Sequence, residues 1–356
     1  MRRSVPAALA VLLVAAATAG CGGQTSKAVA EGSATPALPA TSSPAAPVKA
    51  PPLSEEEARG IVKDLTAKVE ADNFDAEYWK GITEGPLLEQ QLAVVETSRK
   101  YGTERPSVPS DSPPKNDSAV HIWSTGKDDG SDRWILGAHE VEGHTVGEAK
   151  GETVLRWSLF HQQRTGAPWL AAFLARAPET TALPGVAVGP DGRAVTGADA
   201  AGLAADPAKV CGQYGDYLHT DTGAGGVKWS QDVADVKAAS AAGLKAMRKD
   251  LGKGAKLDVA VDVNRAPHGP VWRTTDGGAL VACTAVSKVY TELGPGRATT
   301  FSSSGWAGTT GIPWASYTQR IMGLTVLKVP AGASGEVSVA AESNLPYSFE
   351  GTKSTG

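Results

Sequence analysis

The hydrophobic positions of this chain fall twice into one order, helical spacing first and strand-like alternation second. Ser54 and Glu57 have the spacing of a capping box, and Ala58, Ile61, Val62, Leu65 and Val69 follow at helical intervals. A second helical segment starts near Gly85, with Leu87, Leu88, Gln91, Leu92 and Val95 on one side. After a Pro- and Asp-rich stretch the period changes. Strand-like pieces cover residues 119–124, 133–141 and 153–161, and the first two flank a Gly126-Lys127-Asp128-Asp129-Gly130 turn. Leu155, Trp157 and Leu159 alternate with Arg156 and Ser158, the pattern of a strand with one buried face. Residues 169–176 continue the apolar pattern until Pro178.

The same order then recurs. Helical spacing covers residues 200–219 and 230–251, the latter with Val233, Val236, Leu244, Met247 and Leu251 near one face. Leu257, Val259, Val261 and Val263 alternate with Asp258, Ala260 and Asp262. Residues 271–274 and 279–292 flank Asp276-Gly277-Gly278 as a hairpin, and 321–329 and 337–342 read as closing strands. Helices gathered before strands predict an α+β fold and argue against doubly wound α/β. The repeat of about 150 residues is the length of a domain and far longer than a solenoid unit. The expectation is therefore two tandem domains, residues 53–182 and 199–350, each a helical pair on a curved antiparallel sheet. A Pro/Gly-rich linker, 183–198, lies between them.

The first 52 residues carry a different signal. Arg2 and Arg3 precede an apolar run from Val5 to Ala17, then Thr18-Ala19-Gly20 and Cys21. That is the layout of a secretory signal peptide (residues 1–20), and the run is too short for a spanning helix. Residues 21–52 are mostly Gly, Ala, Ser, Thr and Pro without an aromatic side chain, so they are expected to form a disordered tether. A net charge of −4 gives neither a nucleic-acid footprint nor a polybasic lipid patch. The Ala/Gly/Val/Pro bias suits a high-GC bacterial genome.

Small residues directly before Cys21, with Gly22-Gly23 behind it, resemble the lipobox of bacterial lipoproteins; Thr18 stands where the leucine usually is. The resemblance implies a diacylglyceryl (palmitate-bearing) Cys21 and a protein held on the outer face of the cell membrane; the alternative is an incidental cysteine beside an ordinary cleavage site. The phrases LSEEEARGIVKDL (53–65) and LLEQ (87–90), with the duplicated helix-then-sheet order, resemble uncharacterised actinobacterial lipoproteins. The architecture is also similar to the cone-shaped folds of the nuclear-transport-factor-2/cystatin-like group. Neither resemblance carries catalytic residues.

Candidate chemistry is sparse. Cys211 and Cys283 form an even pair, which outside the cytoplasm favours a disulfide stapling a helix to a strand; two buried free thiols are the alternative. His139 and His144 are five apart, one residue too far for the HExxH zinc motif, and no metal site is expected there. The acidic turn at 127–132 lacks the Glu of a calcium loop, His139 standing at loop position 12. GxSxG and Walker A patterns are absent from the chain. Trp306 and Trp314 in a Ser/Gly-rich stretch offer either a binding platform or a plug for the second domain. The functional expectation is a non-catalytic binding or interaction module without a cofactor. Its partners would be the membrane through the lipid, and an envelope protein or a small apolar ligand. A cone-fold enzyme or ligand carrier is the alternative; a solute-importer receptor would need βαβ units that the pattern lacks.

Overall fold

The computed structural model describes residues 53–70, 73–101, 121–125, 131–142, 153–178, 184–219, 225–301, 309 and 311–354. The signal-peptide, lipidation and tether expectations, and His144 and Trp306, lie outside those residues. The capping box forms as read. The Ser54 amide donates to Glu57 Oε2 (2.9 Å), the Glu57 amide donates to Ser54 Oγ (3.2 Å), and α1 (Glu55–Glu70) follows. Alternation alone misses the short α2 (Ala76–Ile82), whose Asp75 cap accepts from the Glu77 amide. The third helix, α3 (Gly85–Tyr101), matches the second predicted segment. In the second half, α5 (Gln231–Leu251) matches its prediction, whereas α4 spans only Val210–His219. The start moves because Asp206 caps the helix, accepting from the Ala208 amide through its side chain, with Pro207 just inside the cap.

Among the described residues nine strands form one antiparallel sheet: β1 (His121–Ser124), β2 (Ser131–Glu142), β3 (Thr153–Arg164), β4 (Leu170–Pro178), β5 (Lys256–Val263), β6 (Trp272–Arg273), β7 (Ala279–Glu292), β8 (Trp314–Val329) and β9 (Ser338–Lys353). The α+β expectation is met. The order is β1-β2-β3-β4-β9-β8-β7-β5, with β6 also on β7. Where the sequence suggested two sheets, hydrogen bonding makes one, and the halves meet at a single rung, Arg176 opposite Glu342. The closing strands run longer than predicted. In β9 the register shifts opposite Arg320/Ile321, beside Pro346, and a bulge is where a strand tolerates proline.

Burial explains the single sheet. Leu136, Trp157, Leu159 and Phe173 on one half-sheet pack in the same cluster as Trp272, Leu280, Leu324 and Val326 on the other. The sheet therefore curls so that its inner faces cover each other, leaving a residual void of about 10 Å³ beside Trp157 and Trp272. That void holds one water at most. The outer faces are covered separately, the first by α1–α3 through Val62, Trp79, Leu87, Ile135 and Phe160, the second by α4 and α5 through Val210, Val233 and Val281. The predicted linker takes part in the seam. Val186 bridges Thr274, Thr196 bridges Trp272, and the Ala194 amide donates to the Ser124 carbonyl at 2.8 Å, tying the β1 edge to β6. Gly85 opens α3 with φ +54°, and a Cβ there would stand 2.9 Å from His268 Cε1 of the other half, so both backbone and space require glycine.

Paired residues share a face of a sheet. Along one rung His139, Arg156, Arg176, Glu342, Thr325 and Cys283 are successive partners, so one row of mostly polar side chains crosses the molecule beneath the helices. His139 in that row is 5% exposed and neither ring nitrogen has a hydrogen bond. Burial, and secondarily the Arg156 charge, push its pKa down to about 4. His161 behaves oppositely. Burial, the largest single influence, would lower it, but hydrogen bonds and charges from Glu84 (Nδ1 to Oε1, 2.5 Å) and Asp132 (Nε2 to Oδ1, 3.2 Å) raise it overall. It ties the α2–α3 corner to β2 and β3 beneath a stacked Trp134.

The disulfide Cys211–Cys283 links α4 to β7 across 72 positions. Loop closure of that length is worth up to about 4 kcal/mol, so Cys211→Ala/Cys283→Ala should lower the urea midpoint and, by letting the unfolded chain expand, steepen the slope. An unchanged midpoint would mean that the cross-link adds nothing to stability. For His139, the folded pKa lies below the unfolded value near 6.5, so stability is lost as pH falls from about 6.5 to about 4, by roughly 3 kcal/mol in full. His139→Leu should be neutral or stabilising at pH 7 and should flatten that limb in pH-dependent thermal unfolding; an unaltered limb would assign the acid sensitivity elsewhere.

Candidate functional site

Small side chains at facing positions leave space between α4, α5 and the second half-sheet. Ala239 and Ser240 on α5 face Ala285 and Ser287 on β7 and Gly323 on β8, where larger apolar residues would close the gap. The result is a partly open cavity of about 210 Å³. That exceeds the ~150 Å³ of an apolar cavity able to hold benzene and falls below the ~300–1,000 Å³ of pockets for drug-sized ligands. Its frame is rigid on the α4 side. The disulfide fixes one wall, and Gly215 brings the helix so close to β5 that a Cβ would lie 2.4 Å from Val263 Cγ2.

Polar groups converge at one end. Glu342 lies at the rung that joins the half-sheets, and Asn344 Nδ2 donates to its Oε1 at 3.1 Å. Burial is the main influence on this carboxyl and raises its pKa; the Asn344 hydrogen bond opposes the rise. Tyr214, 6% exposed, is pushed well up, first by burial and then by the Glu342 charge. Its hydroxyl stands beside that of Thr325 without a hydrogen bond of normal geometry. Glu342 is the single carboxylate in the lining, and neither lysine nor arginine is among the lining residues. Arg176 is its rung partner but lies outside the lining.

The residues singled out from sequence are dispersed. Cys211 and Cys283 are joined and form part of the cavity wall. Trp314 has no exposed surface: it packs with Tyr101, Tyr317 and Phe349, its Nε1 donates to the Thr309 carbonyl, and Gly351 leaves room for its ring. It is therefore a core residue and not presented at the surface. His139 is buried on the helix-facing row, away from this cavity's lining. Sequence reasoning missed Glu342 and Tyr214. The one available signal was Glu342-Ser343-Asn344, polar residues interrupting an apolar closing strand.

The Glu84–His161–Asp132 group is a further titratable cluster, but both imidazole nitrogens are engaged by carboxylates, so no lone pair is left for a substrate or a metal. Among the described residues no group of three or more His, Cys, Asp or Glu side chains is placed to hold a metal ion, and no helix is long and apolar enough to cross a membrane.

No curated protein and no solved structure matches the chain. A family described as a domain of unknown function, DUF8094, matches residues 49–344, which include both helix layers and all but the end of the sheet, and the chain belongs to that family.

Proposed function

We propose that this chain is a lipid-anchored, extracytoplasmic binding protein that holds a small, largely apolar molecule in the cavity beneath α4 and α5 without transforming it. One observation carries the reading: a 210 Å³ space walled by apolar and small residues, with Glu342, Asn344, Tyr214 and Thr325 converging at one end. A few placed polar groups in an otherwise apolar concavity are the mark of a ligand site. Among the described residues, the inner face of the curled sheet is filled by its own side chains apart from the void of about 10 Å³.

The anchor part of the proposal rests on the signal peptide and Cys21. With two or more acyl chains, membrane attachment is effectively permanent, and residues 22–52 would hold the folded part away from the surface. Cys21→Ser should release the protein into the medium; retention of that variant on membranes would overturn the anchor.

For the cavity, NMR titration of residues 53–356 with benzene and with 1-hexanol should shift resonances of α4, α5, β7 and β9. Ala285→Phe fills the space from the β7 wall and should weaken binding by about tenfold or more while preserving the melting temperature to within a few degrees. If neither these probes nor hexylamine perturb this region, the ligand-site reading fails.

A further inference from the structure

The cavity's polar end has a one-sided chemistry that narrows the ligand class, an inference that rests on the ligand-site reading above. Of the lining side chains that titrate, Glu342, Tyr214 and His219, one is a carboxylate and none is a lysine or arginine. Asn344 Nδ2 donates to Glu342 Oε1, which turns the amide toward the carboxylate and leaves Oε2 for another donor. A second acidic side chain, Asp232 of α5, adds its charge at Tyr214 and is itself held by the Val339 amide at 3.2 Å. The Tyr214 hydroxyl is buried, without a partner of normal geometry, and lies in the same lining. Neither lysine nor arginine lines the cavity around this half-buried carboxylate, and its cross-strand partner Arg176 stands outside the lining. A positively charged ligand group would supply the counter-charge from the cavity side.

We infer that the cavity takes a small molecule bearing an ammonium group on an apolar body, the ammonium donating to Glu342 and the body lying against Leu218, Val236 and the disulfide. Ammonium carries three donors and no acceptor. Glu342 Oε2 and the Tyr214 oxygen are acceptors at one end, while Leu218, Val236, Ala239, Val263 and Ala285 supply apolar wall for the body. An anionic ligand would meet Glu342 and Asp232 with like charge. A neutral alcohol fits the volume but leaves the carboxylate without a counter-charge.

Three probes of equal length separate these cases: hexylamine, 1-hexanol and hexanoate, titrated by NMR at neutral pH into residues 53–356. Hexylamine should bind about tenfold or more tighter than 1-hexanol, as expected for a charge-assisted hydrogen bond against a neutral one, and hexanoate should be the weakest of the three. In Glu342→Gln the amine-to-alcohol ratio should fall to near one. If 1-hexanol binds as tightly as hexylamine to the unaltered chain, the cavity remains a ligand site and the ammonium assignment is wrong. Preferential binding of hexanoate likewise overturns it. Failure of all three to bind overturns the ligand-site reading itself. The comparison on the unaltered chain decides the matter even if the variant does not fold.

Discussion

The inner faces of the two half-sheets must cover each other. Trp157 and Phe173 on β3 and β4 are fully buried against a cluster that includes Trp272, Leu280 and Leu324 from the other half. Neither half could keep those side chains from water alone, and truncating one such aromatic residue typically costs about 3–5 kcal/mol. That mutual burial explains why a chain with a duplicated pattern folds around one sheet, and why the stretch 184–198 pairs with β6 and touches β1. It also consigns the inner face to packing. Any ligand must enter from the outer side, between helices and sheet.

The outer layers differ in how they fill. Beneath α1–α3, Trp79, Leu87 and Phe160 close the first half. Beneath α4 and α5, Ala285, Ser287 and Gly323 leave the second half open, with the disulfide holding α4 against β7. The rung from His139 to Cys283 runs under both layers, and two of its titratable members, His139 and Glu342, illustrate opposite solutions. His139 stays neutral through burial and makes no hydrogen bond. Glu342 keeps one hydrogen bond to Asn344 and opens on a cavity.

Local order was legible from the chain. The Ser54/Glu57 box, the alternation at Leu257–Val263 and the Cys211–Cys283 pair describe contacts within one or two elements, and periodicity and spacing encode those directly. What alternation cannot encode is which buried face meets which. Trp157 and Trp272 both read as inward, and nothing in their spacing says that they share one core. The site was illegible for the same reason: Tyr214, Ala285 and Glu342 lie far apart in sequence, and a cavity is defined by side chains that are too small. Trp314 drew notice as a large aromatic residue in a Gly-rich stretch, yet Gly351 exists to let it pack.

The measurement closest to the central claim is the stability of Glu342→Gln relative to the unaltered, ligand-free chain as a function of pH. Glu342's folded pKa is raised above the ordinary glutamate value, so the native state favours the protonated form, and its contribution is lost as pH rises from about 4.5 through the folded pKa. A glutamine does not titrate. If the carboxylate is a ligand group kept at the expense of the fold, the variant gains stability over the unaltered chain as pH rises through that window and holds the gain at neutral pH. A variant that is equally stable or less stable at every pH would show that Glu342 supports the fold instead, and the cavity would lose its principal recognition group.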